Sequence, residues 1–152
     1  MTPENFIGAI TGSETLASSG RKVLKSNEES KVFMYLADSG ATGLLAFPNM
    51  NYLYANEFNK ALEKMHDKKM YGEMLVYLEA SEAGSIFEDL LPKNSSILVV
   101  TATGNDETSF ATYCYPDDIV NGKHIGTCLG DTFSVNWMED SDMADPKVET
   151  ID

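Results

Sequence analysis

Three short apolar runs, each stopped by small or polar residues, constrain the fold of this chain most strongly. They cover residues 32–37, 74–80 and 97–102. Each run is short enough for a strand, and the first, with six consecutive apolar or aromatic residues, is predicted to be buried on both faces. Residues 55–69, between the first two runs, repeat apolar side chains at helical spacing. Strands that alternate with helices predict an α/β fold with a parallel sheet and right-handed crossovers.

The segments around these runs predict shorter elements. Residues 3–10 and 85–91 predict short helices, and residues 43–48 an apolar stretch that ends at a turn. The helix at 55–69 is expected to begin after Asn56 as its N-cap. One face of this helix should contain Phe58, Leu62, Met65 and Lys69, with Ala61 beside them.

Length and charge exclude several classes of protein. The chain has 152 residues with 11 Lys and Arg against 24 Asp and Glu, which gives a formal net charge of −13. This charge repels phosphate, so we expect no nucleic acid and no membrane surface as partner. One domain is the natural size, and at 43% hydrophobic residues the chain is too apolar to be disordered. No apolar run reaches the roughly 20 residues of a membrane span.

The carboxyl ends of the predicted strands suggest where a site would lie. Asp38-Ser39-Gly40, Ser81-Glu82-Ala83-Gly84 and Thr103-Gly104-Asn105 follow the three runs. In open α/β sheets ligands bind beyond the carboxyl ends of the strands. The alternative is that these are ordinary turns, which favour the same residue types.

The two cysteines leave two readings open. Cys114 and Cys128 flank a turn-rich stretch and could form a disulfide or remain two reduced thiols. They do not predict a metal site, because four-ligand zinc spacing is absent and His66 is remote in sequence.

Longer motifs at the strand ends resemble a known family. The matching segments are residues 35–40, 78–85, 112–114, 129–131 and 134–142, the last reading SVNWMEDSD. In this order they resemble the asparaginyl endopeptidases, the legumains or vacuolar processing enzymes of plants. The resemblance implies a caspase-like three-layer α/β/α sandwich with a mostly parallel sheet. It also implies a cofactor-free cysteine endopeptidase that cuts after Asn and less readily after Asp.

Both members of the catalytic dyad are replaced in this chain. The family has a histidine base where Ser39 stands and a cysteine nucleophile where Ser81 stands. Ala83 also replaces a family serine. A serine nucleophile needs a general base even more than a cysteine does, and Ser39 cannot supply one. His66 and His124 do not align with the catalytic position and are interpreted as surface residues.

The binding residues of the family are better matched. Gly40 and the backbone N–H of Ser81 would form the oxyanion hole, since backbone donors survive a side-chain replacement. The resemblance assigns the asparagine pocket to Glu79, Thr108, Ser109 and Asp131. The alternative for each is a strand-end residue with a local hydrogen bond. Two acids in one pocket are costly unless paired, and the family's pairing arginine would lie before Met1.

Two further features follow from the resemblance and from a short motif. Plant members bridge the cysteines that match Cys114 and Cys128, so a disulfide is implied here. Asn94-Ser95-Ser96 fits the N-glycosylation pattern. Both belong to the secretory route, and the family is vacuolar or lysosomal. No signal peptide is recognised in residues 1–14, so the chain would be cytoplasmic if Met1 is the true start.

The sequence therefore predicts a partial legumain-like peptidase domain over residues 1–152, without the family's N-terminal strands or C-terminal prodomain. We expect it to be inactive, with a binding or regulatory role toward active relatives. The alternative is a weakly active serine peptidase that uses Ser81. The expected ligand is a peptide or protein, and a sheet that lacks strands should favour homo-oligomers or association with related peptidases.

Overall fold

The computed structural model describes residues 1–145 and 147–148. The chain divides into two compact units, Met1–Thr108 and Ser109–Asp152. Each unit is described by itself below. Within the described residues, every helix is too short or too polar to pass through a lipid bilayer.

The first unit alternates helices and strands. Its elements are α1 (Pro3–Ile10), α2 (Glu14–Ser18), β1 (Lys31–Ala37), β2 (Gly40–Ala41), β3 (Leu44–Phe47), β4 (Asn51–Tyr54), α3 (Ala55–Asp67), β5 (Glu73–Glu79) and β6 (Ile97–Thr101). Short 3₁₀ turns cover Pro48–Met50 and Ala83–Ile86.

The three predicted apolar runs form one parallel sheet in the order β1-β5-β6, as expected. The register places Ala37 opposite Glu79 and Leu78 opposite Thr101. The three strands therefore end at the same edge of the sheet. This edge is where the sequence predicted a site.

The prediction that the first run is buried on both faces was wrong. Met34 is 8% exposed, whereas Phe33 is 52% exposed and Tyr35 is 37% exposed. Alternate residues of a strand point to opposite faces, and the buried cluster that contains Met34 lies on one of them. On the other face the ring of Phe33 contacts that of Tyr77, with centroids 5.4 Å apart.

The core is organised around the buried ring of Phe58 in α3. Phe58 lies 5.7 Å from Phe6 of α1 and 5.7 Å from Phe87, measured between ring centroids. Phe6 in turn lies 5.7 Å from Phe47 of β3. These contacts join α1, α3 and the small antiparallel sheet β2-β3-β4 into one apolar cluster with the parallel sheet.

Two details of the α3 prediction were wrong. The N-cap is Tyr54, not Asn56, because β4 runs directly into the helix and the Glu57 carboxylate accepts from the Tyr54 N–H at 3.4 Å. Lys69 does not share the buried face, since α3 ends at Asp67 and Lys69 has a φ of 54°. The remaining predicted positions of that face are buried, namely Phe58, Ala61, Leu62 and Met65.

The helix predicted at 85–91 is only a 3₁₀ turn over Ala83–Ile86. Asp89 has a φ of 55°, which a right-handed helix cannot contain. The apolar stretch at 43–48 forms β3, which pairs antiparallel with β2 and β4. Gly43, at φ 72°, provides the left-handed residue that the β2–β3 turn requires.

The second unit consists of short paired strands followed by a helix. Its elements are β7 (Ala111–Thr112), β8 (Ile119–Val120), β9 (Lys123–His124), β10 (Gly130–Asp131) and α4 (Thr132–Met143). β7 pairs with β10, and β8 pairs with β9. A disulfide joins Cys114 and Cys128, whose Cα atoms are 4.0 Å apart, and encloses the β8–β9 hairpin.

Candidate functional site

The candidate site is built on the loops that leave the parallel sheet. Hydrogen bonding continues past the strand ends, since the Asp38 N–H donates to the Glu79 carbonyl at 3.1 Å. The Ala102 N–H likewise donates to the Leu78 carbonyl at 2.9 Å. The three loops therefore start side by side in fixed register.

Ser39-Gly40 lies directly against Ser81. A Cβ atom built on Gly40 would be 2.3 Å from the Ser81 carbonyl oxygen and 3.0 Å from the Ala80 Cβ. The first distance is shorter than real Cβ contacts and the second is tighter than most of them, so only glycine fits here. The structure therefore brings the two positions that the resemblance assigns to the dyad onto neighbouring loops.

Two hydrogen bonds hold the backbone of Ser39, one with a side chain and one with the backbone of β3. The Ser39 N–H donates to the Asp38 side chain at 2.8 Å, and the Ser39 carbonyl accepts from the Ala46 N–H at 2.8 Å. Ser39 itself is exposed. Its side chain is thus displayed from a fixed backbone at the edge of the sheet.

Thr103 fixes the loop of Ser81 from the β6 side. Its hydroxyl donates to the Ala80 carbonyl at 2.9 Å and accepts from the Ala83 N–H at 3.0 Å. Thr103 is 8% exposed, so this hydroxyl satisfies two backbone groups on either side of Ser81 in a buried setting. The sequence placed Thr103 at a strand end but gave it no role.

Glu82 anchors the same loop on two other sides. Its N–H donates to the Glu107 carbonyl at 2.7 Å, and its carboxylate accepts from the Thr42 hydroxyl. The Ser85 hydroxyl donates to the Glu82 carbonyl at 2.5 Å and accepts from the Gly43 N–H at 2.9 Å. The bonds from Thr42 and Gly43 tie the β2–β3 turn to the loop that follows β5. Sequence reasoning missed these two bonds because they join residues about 40 positions apart.

The predicted asparagine-pocket residues differ in burial. Glu79 is 2% exposed at the end of β5, whereas Asp131 is exposed immediately before α4. Thr108 is an exposed residue of the first unit, and Ser109 a partly buried residue of the second. Their roles in substrate binding remain predictions.

His66 lies far from Ser81 within the first unit. It is exposed near the end of α3, with its ring 6.2 Å from that of Tyr71 between centroids. Tyr71 precedes β5 and Ser81 follows it. A strand of seven residues is about 23 Å long, so His66 cannot act on Ser81.

His124 is a surface residue, as expected, and it also has a carboxylate partner. Its Nδ1 lies 2.7 Å from Oδ1 of Asp118, whose side chain is 1% exposed. The Gly126 N–H donates to the other Asp118 oxygen at 2.7 Å. The hydrogen bond with His124, followed by that from Gly126, lowers the pKa of Asp118 below its usual 3.8. Sequence reasoning missed Asp118 because one acid in an acidic, turn-rich loop carries no distinguishing pattern.

The residues that the structure describes form no metal site. In residues 1–145 and 147–148, histidine, cysteine and carboxylate side chains form no group of three placed to hold a metal ion. The geometry at the sheet edge offers serine hydroxyls, backbone groups and the Glu79 carboxylate. Such groups suit recognition of a polar peptide side chain.

This chain is similar to known proteins along its whole length. The sequence profile of the Peptidase C13 family matches residues 1–152. The delta-isozyme of vacuolar-processing enzyme from Arabidopsis thaliana is 45% identical over 150 residues, which are 98% of this chain and 32% of that protein. Legumain from Canavalia ensiformis is 42% identical over 152 residues, 99% of this chain and 32% of the relative.

A third relative matches a similar share of this chain and of its own length. The beta-isozyme 1 of vacuolar-processing enzyme from Oryza sativa subsp. indica is 44% identical over 153 residues, 100% of this chain and 31% of the relative. The chain thus spans about a third of the length of the curated relatives it matches.

Proposed function

Because this chain belongs to the Peptidase C13 family, we propose that it is a legumain-type homologue that binds peptides and no longer hydrolyses them through the family dyad. One observation carries the proposal. Ser39 and Ser81 stand at the positions that the resemblance assigns to base and nucleophile, and their loops touch through Gly40. The scaffold of the dyad is present while both reactive groups are replaced.

The chemistry of serine supports the loss of hydrolysis. A serine hydroxyl becomes a nucleophile only when a neighbouring base takes its proton, and general-base help alone is worth 10²–10⁴-fold in rate. Ser39 cannot act as that base, and His66 lies beyond the opposite end of β5. Replacing nucleophile and base together removes the family mechanism.

The rigidity of the strand-end loops supports retained binding. Thr103 and Glu82 hold the backbone on both sides of Ser81, and Glu79 supplies a buried carboxylate at the same edge. Binding depends on such preorganised groups rather than on the dyad side chains. We propose an asparagine-containing peptide segment as ligand, from substrates or prodomains of active relatives in the vacuole.

The rival function is a weak serine peptidase in which Ser81 is the nucleophile. Hydrolysis would then require the Ser81 hydroxyl and a base other than Ser39. Substitution of Ser81 therefore tests the rival directly.

Turnover of a fluorogenic Asn-containing peptide separates the two functions. We expect any release by the unmodified chain to be unchanged in Ser81→Ala. Turnover that this substitution abolishes would establish the serine peptidase and overturn the proposal.

Binding is measured separately, by fluorescence anisotropy with a non-hydrolysable Asn peptide. Glu79→Gln should weaken binding because it removes the buried charge while keeping the side-chain shape. Glu73→Gln is the matched control on the same strand, since Glu73 is exposed and pairs with Lys31 at 2.9 Å. Equal affinities for the two variants, or no binding by the unmodified chain, would contradict the binding role.

A further inference from the structure

The chain contains one sequence of the form Asn-X-Ser/Thr with X other than proline, at Asn94-Ser95-Ser96. It lies in the loop between Pro92 and β6. Asn94 and Ser96 are exposed, whereas Ser95 is 3% exposed. The glycosylation pattern requires an acceptor asparagine and a hydroxyl residue two positions later. These two residues, Asn94 and Ser96, are the accessible ones.

The local conformation explains this division. The Ser95 hydroxyl is turned inward and donates to the Pro92 carbonyl at 2.6 Å. Asn94 has a φ of 58°, a left-handed conformation that asparagine adopts more readily than most residues. The inward residue is the middle one, whose side chain N-glycosylation does not use.

The disulfide between Cys114 and Cys128 is a second, independent observation. Structural disulfides form and persist in oxidising compartments such as the endoplasmic reticulum and are rare in the cytosol. N-linked glycans are features of secreted proteins. We propose that Asn94 carries an N-linked oligosaccharide.

The position of Asn94 also determines what the glycan leaves free. Asn94 precedes β6, and the Ser96 carbonyl accepts from the Met74 N–H at 2.9 Å at the start of β5. Ser39 and Ser81 follow the carboxyl ends of the parallel strands. The five residues of β6 separate the two edges by about 16 Å. The oligosaccharide therefore projects from the edge opposite the candidate site and leaves peptide access unchanged.

The test expresses the full chain behind an endoplasmic-reticulum leader in eukaryotic cells and compares its mass before and after endoglycosidase treatment. We expect one increase in mass that endoglycosidase removes. This increase should be absent from Asn94→Gln and from Ser96→Ala. Ser96→Thr should retain it. Ser95→Ala should also retain it, since that substitution keeps the pattern and removes only the inward hydroxyl.

Asn121→Gln is the matched control, because Asn121 is an exposed asparagine with a φ of 53° outside the pattern. The mass that endoglycosidase removes from this variant should equal that removed from the unmodified chain. Mass spectrometry of the Cys114–Cys128 bridge reports that the chain has entered the oxidising lumen. A chain that contains the disulfide but shows no mass increase that endoglycosidase removes would overturn the proposal. A mass increase that persists in Asn94→Gln would overturn it as well. The readout is independent of peptide binding.

Discussion

A Cβ atom at Gly40 would lie 2.3 Å from the carbonyl oxygen of Ser81. This close approach of two backbones joins the loop after β1 to the loop after β5. It is the contact that holds together the two positions to which the resemblance assigns the dyad, Ser39 and Ser81. The site geometry therefore depends on backbone that a replacement of Ser39 or Ser81 does not alter.

Gly40→Ala should destabilise the fold, because the added methyl group meets backbone that cannot move aside. We expect a loss of about 1–3 kcal/mol in the free energy of unfolding, measured by urea denaturation. Gly8→Ala is the control, since Gly8 lies in α1 and its new Cβ would be 3.3 Å from the flexible Leu16 side chain. That variant should be neutral or slightly more stable. Equal effects of the two substitutions would contradict the contact.

Thr103→Val should loosen the loop of Ser81. The substitution keeps the shape of the side chain but leaves the Ala80 carbonyl and the Ala83 N–H without their shared hydroxyl partner. A buried unsatisfied group costs about 1–3 kcal/mol, and amide exchange at Ala83 should accelerate. Thr101→Val is the control on β6, because the Thr101 hydroxyl makes one hydrogen bond, to the Thr103 carbonyl. Unchanged exchange at Ala83 in Thr103→Val would refute the bridging role.

Asp118→Asn should weaken the disulfide loop at neutral pH. The pKa of Asp118 is lowered in the fold by His124 and the Gly126 N–H, so its stabilising effect is present above 3.8 and lost as pH falls through the folded value. Protection of the Gly126 amide from hydrogen exchange should fall in the variant at pH 7. The difference from the unmodified chain should disappear well below pH 3.8.

The neighbouring acid provides the control for that experiment. Asp117 is exposed, and its backbone N–H donates to the Cys114 carbonyl at 2.7 Å. Asp117→Asn should therefore leave the protection of Gly126 unchanged at both pH values. A pH-independent effect of Asp118→Asn would show that the ionised carboxylate is not what stabilises the loop.

The parallel sheet could be predicted from the sequence because each strand is a compact apolar run with a sharp polar end. Burial in β1 could not, since six consecutive apolar residues do not show which face meets the core. Phe33 and Met34 are adjacent and equally apolar, yet one is 52% exposed and the other 8%. Periodicity identified the buried apolar residues in the middle of α3, from Phe58 to Met65, but not the first residue of the helix, which β4 determines through Tyr54.

In the candidate site, too, some residues could be assigned from the sequence and others could not. Ser39 and Ser81 were assigned because they interrupt recognisable motifs, and Gly40 was assigned because it matches one. Thr103 and Glu82 were not assigned, because their contacts join loops that only the folded sheet brings together.

The proximity of positions 39 and 81 is tested most directly by the reactivity of a thiol introduced with Ser81→Cys. Both natural cysteines are bridged, so this thiol is the one available to iodoacetamide. A histidine in reach lowers the pKa of a thiol and increases its thiolate fraction. The double substitution Ser39→His, Ser81→Cys should therefore be alkylated roughly tenfold faster near pH 6 than Ser39→Ala, Ser81→Cys. Identical rates and pH profiles for the two variants would contradict the assignment of Ser39 and Ser81 to the positions of the dyad.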